Sequence, residues 1–229
     1  MVVITHCLMK LFQTLLPALL LASGNASAGV ILVDIGNPAL TTSGQPETWN
    51  NLTDHALNGT VAGGLLDTTG ASTGYNLTIT TSGFTGPASN SPNGNQTITP
   101  TSASYDSFFG GGTASVLRLS GLNSSLTYSF TFFGSVFRED STNRNTDYTV
   151  GGQTVSLQTR NNAATWSNTI SGISPDVNGN IDITIARGAG NTGSSYLINI
   201  LKVESVPEPS HALLSLAGVS LMALRRRRA

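Results

Sequence analysis

Apolar and polar side chains alternate with a period of two through much of the chain. Tyr75, Leu77 and Ile79 interleave with Asn76, Thr78 and Thr80. Tyr128, Phe130 and Phe132 interleave with Ser129, Thr131 and Phe133, and Ile181, Ile183 and Ile185 with Asp182, Thr184 and Ala186. Successive side chains of a strand point to opposite faces, so each apolar set marks the buried face of a β-strand. The same pattern predicts strands over 30–35, 115–120, 148–150, 154–158, 165–171 and 196–203. Gly151-Gly152, between two of these runs, reads as a two-residue hairpin turn. Residues 121–124 and 178–180 carry similar turn chemistry. A short helix has room only near 50–57 or 102–109. The stretch 81–101, rich in Gly, Pro, Ser and Asn, has no period and is expected to be a long surface connection. Nine or ten short strands joined by Gly/Asn turns imply one all-β domain over 29–204, a β-sandwich or jelly roll.

The two ends follow different rules. Residues 1–28 carry Lys10, an apolar run from Leu11 to Ala22, and a small-residue close at Ala26-Ser27-Ala28. That order defines a secretory signal peptide, expected as a short helix, with Gly29 the first mature residue. The run is shorter than the roughly 20 residues that span a bilayer. The chain's one cysteine, Cys7, falls inside it. The mature domain is therefore expected to hold itself together by core burial, without disulfides.

The other end, 205–229, orders three features: Val206-Pro207-Glu208-Pro209, an apolar run over 212–224 forming a short hydrophobic helix, and Arg225, Arg226, Arg227 and Arg228. The prolines are expected to keep their segment extended and outside any sheet. The arginines resist translocation and hold the end of the chain on the cytoplasmic side. This order resembles the PEP-CTERM sorting signal of Gram-negative envelope proteins. The resemblance implies that Val206 to Pro209 are read by an exosortase, a membrane protease-transpeptidase, and that the four arginines stop the tail in the inner membrane. It also implies an exported protein, transiently anchored through its tail, that ends in the cell envelope, on its outer surface or outside the cell. The apolar run is short for a permanent transmembrane helix, which fits a transient stop.

Charge narrows the function. Residues 29–204 hold six cations (Arg118, Arg138, Arg144, Arg160, Arg187 and Lys202) against eleven acids. A nucleic-acid surface needs a basic stripe, and none is present. Catalysis has little to work with. His55 is the one histidine of 29–204, it is expected to face solvent, and no G-x-S-x-G elbow surrounds it. No spacing selects a pair of acids for glycoside hydrolysis. We therefore expect a non-enzyme with no catalytic residues, no metal centre and no cofactor. Two places leave room for a structural calcium ion: the Asp176–Asp182 stretch, better read as a hairpin turn, and Asp34 with Asn37 at the end of the first strand.

Carbohydrate recognition remains. Sugar sites combine an aromatic platform with planar polar groups. Trp49, in a loop-like stretch, is the better surface platform. Trp166, in phase with Ile170 on an expected strand, reads as core. The 138–147 loop gathers Arg138, Asp140 and Arg144 as a polar rim. The body, beginning ILVDIG and containing WNNLTD, FFGS and RNTDYTVGG, resembles galactose-binding-like jelly-roll modules. The expected function is a structural or adhesive protein of the envelope and exopolysaccharide matrix that contacts polysaccharide. The alternatives are an envelope hydrolase or esterase acting on the same matrix, and a matrix component with no ligand site.

Overall fold

The computed structural model describes residues 29–89, 97–98 and 100–207. The expected signal segment, the apolar run of the tail and its four arginines lie outside the described residues. Among the described residues, no helix is long and apolar enough to cross a membrane.

The strands are β1 (Val30–Ile35), β2 (Asn50–Leu52), β3 (Asn76–Thr81), β4 (Phe84–Ser89), β5 (Asp106–Gly110), β6 (Ser115–Ser120), β7 (Leu126–Phe133), β8 (Asn145–Val150), β9 (Gln153–Gln158), β10 (Ile170–Ile173), β11 (Ile181–Arg187), β12 (Tyr196–Ile198) and β13 (Ile200–Pro207). Among the described residues, the one α-helix, α1 (Thr101–Tyr105), precedes β5. The domain is all-β. One five-stranded sheet runs β10-β7-β13-β1-β2, a second runs β3-β6-β11-β8-β9, and β12-β5-β4 form a third. All pairings are antiparallel except β1 with β2.

The alternation decides what lies between the two large sheets. Ile31, Val33, Phe130, Phe132, Leu201 and Val203 of the first sheet share one buried cluster with Leu77, Ile79, Leu117, Leu119, Ile183 and Ile185 of the second. The Phe132 and Tyr148 rings stack across this β-sandwich-like core at 4.4 Å. Tyr148 donates its hydroxyl to the Leu197 carbonyl, and burial holds its pKa far above the usual phenol value. The β8–β9 hairpin turns on Gly151 and Gly152, both at positive φ, as a two-residue turn of this hand requires.

Several elements depart from the sequence pattern. The expected strand over 196–203 is broken at Asn199, whose fully buried side chain donates to the carbonyls of Ser104 and Asp106 and accepts from the Ser135 amide. One residue thereby ties β12, β13, α1 and the end of β7. The expected surface connection over 81–101 contains β4, an edge strand paired only with β5, where Pro87 costs no ladder bond to a further strand. The expected strand over 165–171 begins only at Ile170. Ahead of it, the Asn162 side chain bonds to the Thr165 backbone, and Ser167 meets β7 through one backbone bond to Phe132 and a hydroxyl that accepts from the Phe132 amide. The 50–57 segment holds strand β2, and the helix falls in the second of the two expected places.

Val206 and Pro207 were expected outside any sheet. They instead close β13, opposite Thr127 and Leu126 of β7. β1 accompanies β13 only as far as Glu204, so beyond that point β13 has one neighbour and the missing proline N–H is tolerated. Glu208 and Pro209 lie outside the described residues.

Candidate ligand-binding face

The side of the first sheet that faces away from the core is built by the other half of the same alternation. β1 sends Val30, Leu32 and Asp34 there, β13 sends Ile200 and Lys202, and β7 sends Thr131 and Phe133. Phe133 and Ile200 form a small second cluster with Ala103 of α1, packed against Trp49, Ile98 and Trp166. Trp166 meets Phe133 at a ring separation of 5.6 Å. Beside this cluster lies a groove of about 360 Å³ lined by Val30, Leu32, Glu47, Trp49, Thr68, Trp166 and Lys202.

The groove brings the two tryptophans together. Trp49 leads into β2, whose parallel pairing with β1 fixes its place, and the Thr48 amide donates to the Thr68 carbonyl beside it. Its indole Nε1 is buried without a hydrogen-bond partner. What Trp49 gives the groove is therefore ring surface. Trp166 is half-buried on this outer face rather than in the sandwich core, because the strand that would have turned it inward does not form. Lys202 and Glu204 make an ion pair of 3.0 Å along the same face of β13.

The polar loop expected as a rim is placed elsewhere. Neither Arg138, Asp140 nor Arg144 lines the groove. Arg144 is 8 % exposed, donating to Asp140 and to Ser195, so it is a scaffold of the loop rather than a rim. The Thr142 hydroxyl and amide, with Arg144 behind them, hold the Asp140 carboxyl down to about 2. Arg138 is exposed, and its backbone is tied to Asn161 by two hydrogen bonds of 2.9 Å.

Other candidates resolve plainly. The His55 ring, expected to face solvent, is half-buried and set edge-on to Phe108 at 5.8 Å. Ser82 donates to the His55 carbonyl, not to its ring. Asp176 accepts from the amides of Asn178 and Asn180, so its carboxylate closes the hairpin turn and is held below its ordinary pKa by those bonds.

A pair that the sequence did not join sits at the end of β1. Asp34 and Asp106, 3 % and 1 % exposed, lie beneath the loop that follows β1. Thr42 donates its amide to Asp34 Oδ2 at 3.0 Å and to Asn51 Oδ1 at 2.7 Å, and its hydroxyl meets Ser102 of α1. The Asn37 amide donates to Asp106 Oδ2. Burial, and then the Asp106 charge, push Asp34 up to about 7; burial pushes Asp106 up to about 6.

No family model and no curated protein matches the chain. Solved structures do. The extracellular domain of ANXUR1 from Arabidopsis thaliana superposes with a TM-score of 0.52 at 10% identity, over 79% of this chain and 50% of that one. The ANX2 ectodomain from the same plant gives 0.50 at 12% identity, over 80% and 52%. This chain has their fold. It spans about half the length of those ectodomains, and at such identity the likeness speaks of fold alone.

The buried acids set a pH dependence. A folded-state pKa above the ordinary value means that the native state keeps a proton the unfolded chain has already released. That contribution is complete below the ordinary carboxyl pKa and is lost as pH rises through the folded one. With divalent cations chelated, the urea midpoint is expected to fall as pH rises from about 4 to 7, and Asp34→Asn is expected to flatten that slope.

Proposed function

We propose that this chain is an exported, surface-sorted protein of a bacterial envelope whose β-domain holds matrix polysaccharide in the Trp49–Trp166 groove. The observation that carries the proposal is that both tryptophans of the chain line one groove, with Glu47, Thr68 and Lys202 beside them. A pyranose presents apolar C–H faces and polar edges. Indole surface suits the first, and a carboxylate, a hydroxyl and an ammonium within the same groove suit the second. The acid excess of the domain favours a neutral or hydroxyl-rich ligand over a polyphosphate.

Binding is preferred to cutting because glycoside hydrolysis needs a pair of carboxyl groups, and Glu47 is the one acid among the residues lining the groove. Glu204 is paired with Lys202, and Asp34 and Asp106 lie buried under a loop rather than open to a cleft. Export and sorting rest on the two ends: the signal-type start, and the resemblance of 206–229 to a PEP-CTERM tail handled by an exosortase-type enzyme. The solved proteins that share the fold are described as extracellular domains, in keeping with an exported chain. β13 reaches Pro207, so the motif starts in the last strand of the domain. A processing enzyme would then act directly beside the fold, with no long linker between.

Calorimetric titration with exopolysaccharide from the source organism tests the groove. Saturable binding is expected, weakened about tenfold or more by Trp49→Ala and by Trp166→Ala, and unchanged by Arg138→Ala. Wild-type affinity in both tryptophan variants would contradict the assignment. For the tail, Glu208→Gln is expected to leave the protein at its precursor mass in the producing cell, and normal processing of that variant would remove the sorting proposal.

A further inference from the structure

The edge of a sheet is a row of unpaired backbone donors and acceptors, and it invites a further strand unless something blunts it. Each of the three sheets has two edge strands. β2 and β12 are three residues long, and β10 has four with a shifted register. β4 carries Pro87 and a register shift. β3 is covered on its outer side by the 58–61 segment: the Asn58 amide donates to the Ile79 carbonyl, the Ile79 amide to Gly59, and the Val61 amide to Leu77. Among the described residues, β9 is the edge that none of these devices blunts.

β9 reads Gln153-Thr154-Val155-Ser156-Leu157-Gln158, with no charge, proline or glycine, and all six residues pair with β8 without a shift. The pair that closes a two-residue hairpin turn exchanges both of its hydrogen bonds, so Val150 with Gln153 is a bonded pair and bonded pairs then alternate. Gln153, Val155 and Leu157 therefore bond back to β8. Thr159, next in phase with them, also donates back, to the Arg144 carbonyl. Thr154, Ser156 and Gln158 turn their N–H and C=O groups outward, and all three are exposed. Their side chains lie on the outer face of the sheet, where Thr154 meets Thr149 and the Ser156 hydroxyl donates to Asp147. Val155 and Leu157 point to the core side, Leu157 buried and Val155 packed on the rim of the core.

We propose that β9 pairs with β9 of a second copy of this chain, antiparallel about a two-fold axis at Ser156, joining the two five-stranded sheets edge to edge. A two-fold pairing requires a strand complementary to itself, and β9 is symmetric about Ser156. Ser156 meets the partner's Ser156, and Thr154 meets the partner's Gln158, so each residue with an outward backbone faces another. On the core side Val155 meets the partner's Leu157, apolar against apolar. A slip of one residue would set Thr154 against Leu157, on opposite faces, so the register is fixed. Residues 29–204 carry an acid excess that opposes self-association, yet β9 brings no like charges together. A second copy is thus the occupant whose donors, acceptors and apolar positions β9 itself supplies. The pairing consumes both β9 edges and closes at two copies. A contact of this length is smaller than a permanent dimer interface, so association is weak and concentration-dependent. A dimer holds two grooves on one particle, as cross-linking a polysaccharide requires; that consequence rests on the groove reading, and the pairing does not.

The test is sedimentation of the full-length protein over a concentration series from about 1 µM to about 1 mM. A monomer–dimer equilibrium is expected. Ser156→Pro removes an outward N–H that β8 does not use, which an edge strand tolerates, and is expected to raise the dimer Kd about tenfold or more. The register is read by cross-linking with oxidised glutathione in a Cys7→Ser background, an arm that also decides the matter if Ser156→Pro does not fold. Ser156→Cys puts two thiols on a bonded pair, about 5.5 Å apart between Cα atoms and within disulfide reach, so a covalent dimer is expected. Thr154→Cys is expected to stay uncrosslinked, because its copies lie about 14 Å apart. A monomer throughout the series would overturn the pairing, as would a dimer undiminished in Ser156→Pro, or Thr154→Cys cross-linking as readily as Ser156→Cys.

Discussion

β1 lies between β13 and β2, and the alternation of its six residues sets the rest of the domain. Ile31, Val33 and Ile35 enter the core shared with the second sheet. Val30, Leu32 and Asp34 are thereby sent to the opposite face. Two of them floor the groove, and the third is carried, as a carboxylate, under a loop. Shifting the register of β1 by one residue would reverse every one of these placements. Fold and site therefore depend on the same period of two.

The outer face needs cover because it is not polar enough to stand in water alone. Phe133 and Ile200 point outward, and α1, Trp49 and Trp166 are packed over them. The tryptophans thus have two sides, one packed on the sheet and one lining the groove. That arrangement makes a rigid platform, since each ring is fixed by its packing before any ligand arrives, and a preordered ring loses little entropy on binding. The loop from Gly36 to Thr42 is fixed from beneath by Asp34, Asp106 and Asn51, and it leads toward Trp49. What stabilises that loop also stabilises the platform.

Much of this was legible in the sequence, and the failures share a physical cause. Ser115–Ser120, a strand with one buried face, declared itself by alternation, and Val30–Ile35, buried on both faces, forms over the expected residues as an apolar run. The Gly151-Gly152 turn was also readable. Elements held by polar side chains were not. Asn199 interrupts an apolar run and looks like a tolerated polar residue, yet its side chain satisfies three backbone groups at once. Trp166 was in phase with Ile170 only if the strand continued, and Asn162 and Ser167 divert the chain before it can. β2 and β4 are short or at an edge, where backbone pairing needs no alternation. Asp106 had no local sign of function, because its partner Asp34 is 72 positions away and only the parallel β1–β2 arrangement and α1 bring the loop above both.

The polar 138–147 loop shows the opposite error. Its density of charge suggested a rim, but charge dense enough to pair internally satisfies itself: Asp140 binds Thr142 and Arg144, and Arg144 is buried as a result. The two tryptophans of the outer face converge on one groove, whereas the charges of this loop converge on one another. Because Trp49 and Trp166 are the only tryptophans of the chain, intrinsic indole fluorescence reports on the groove alone. The most direct measurement is that emission, followed during titration of the full-length protein with oligosaccharides cut from the source exopolysaccharide. A saturable change in intensity or wavelength, with single-site dependence, is the result this account predicts. Emission that stays flat while the glycan is shown to bind elsewhere on the protein would contradict it.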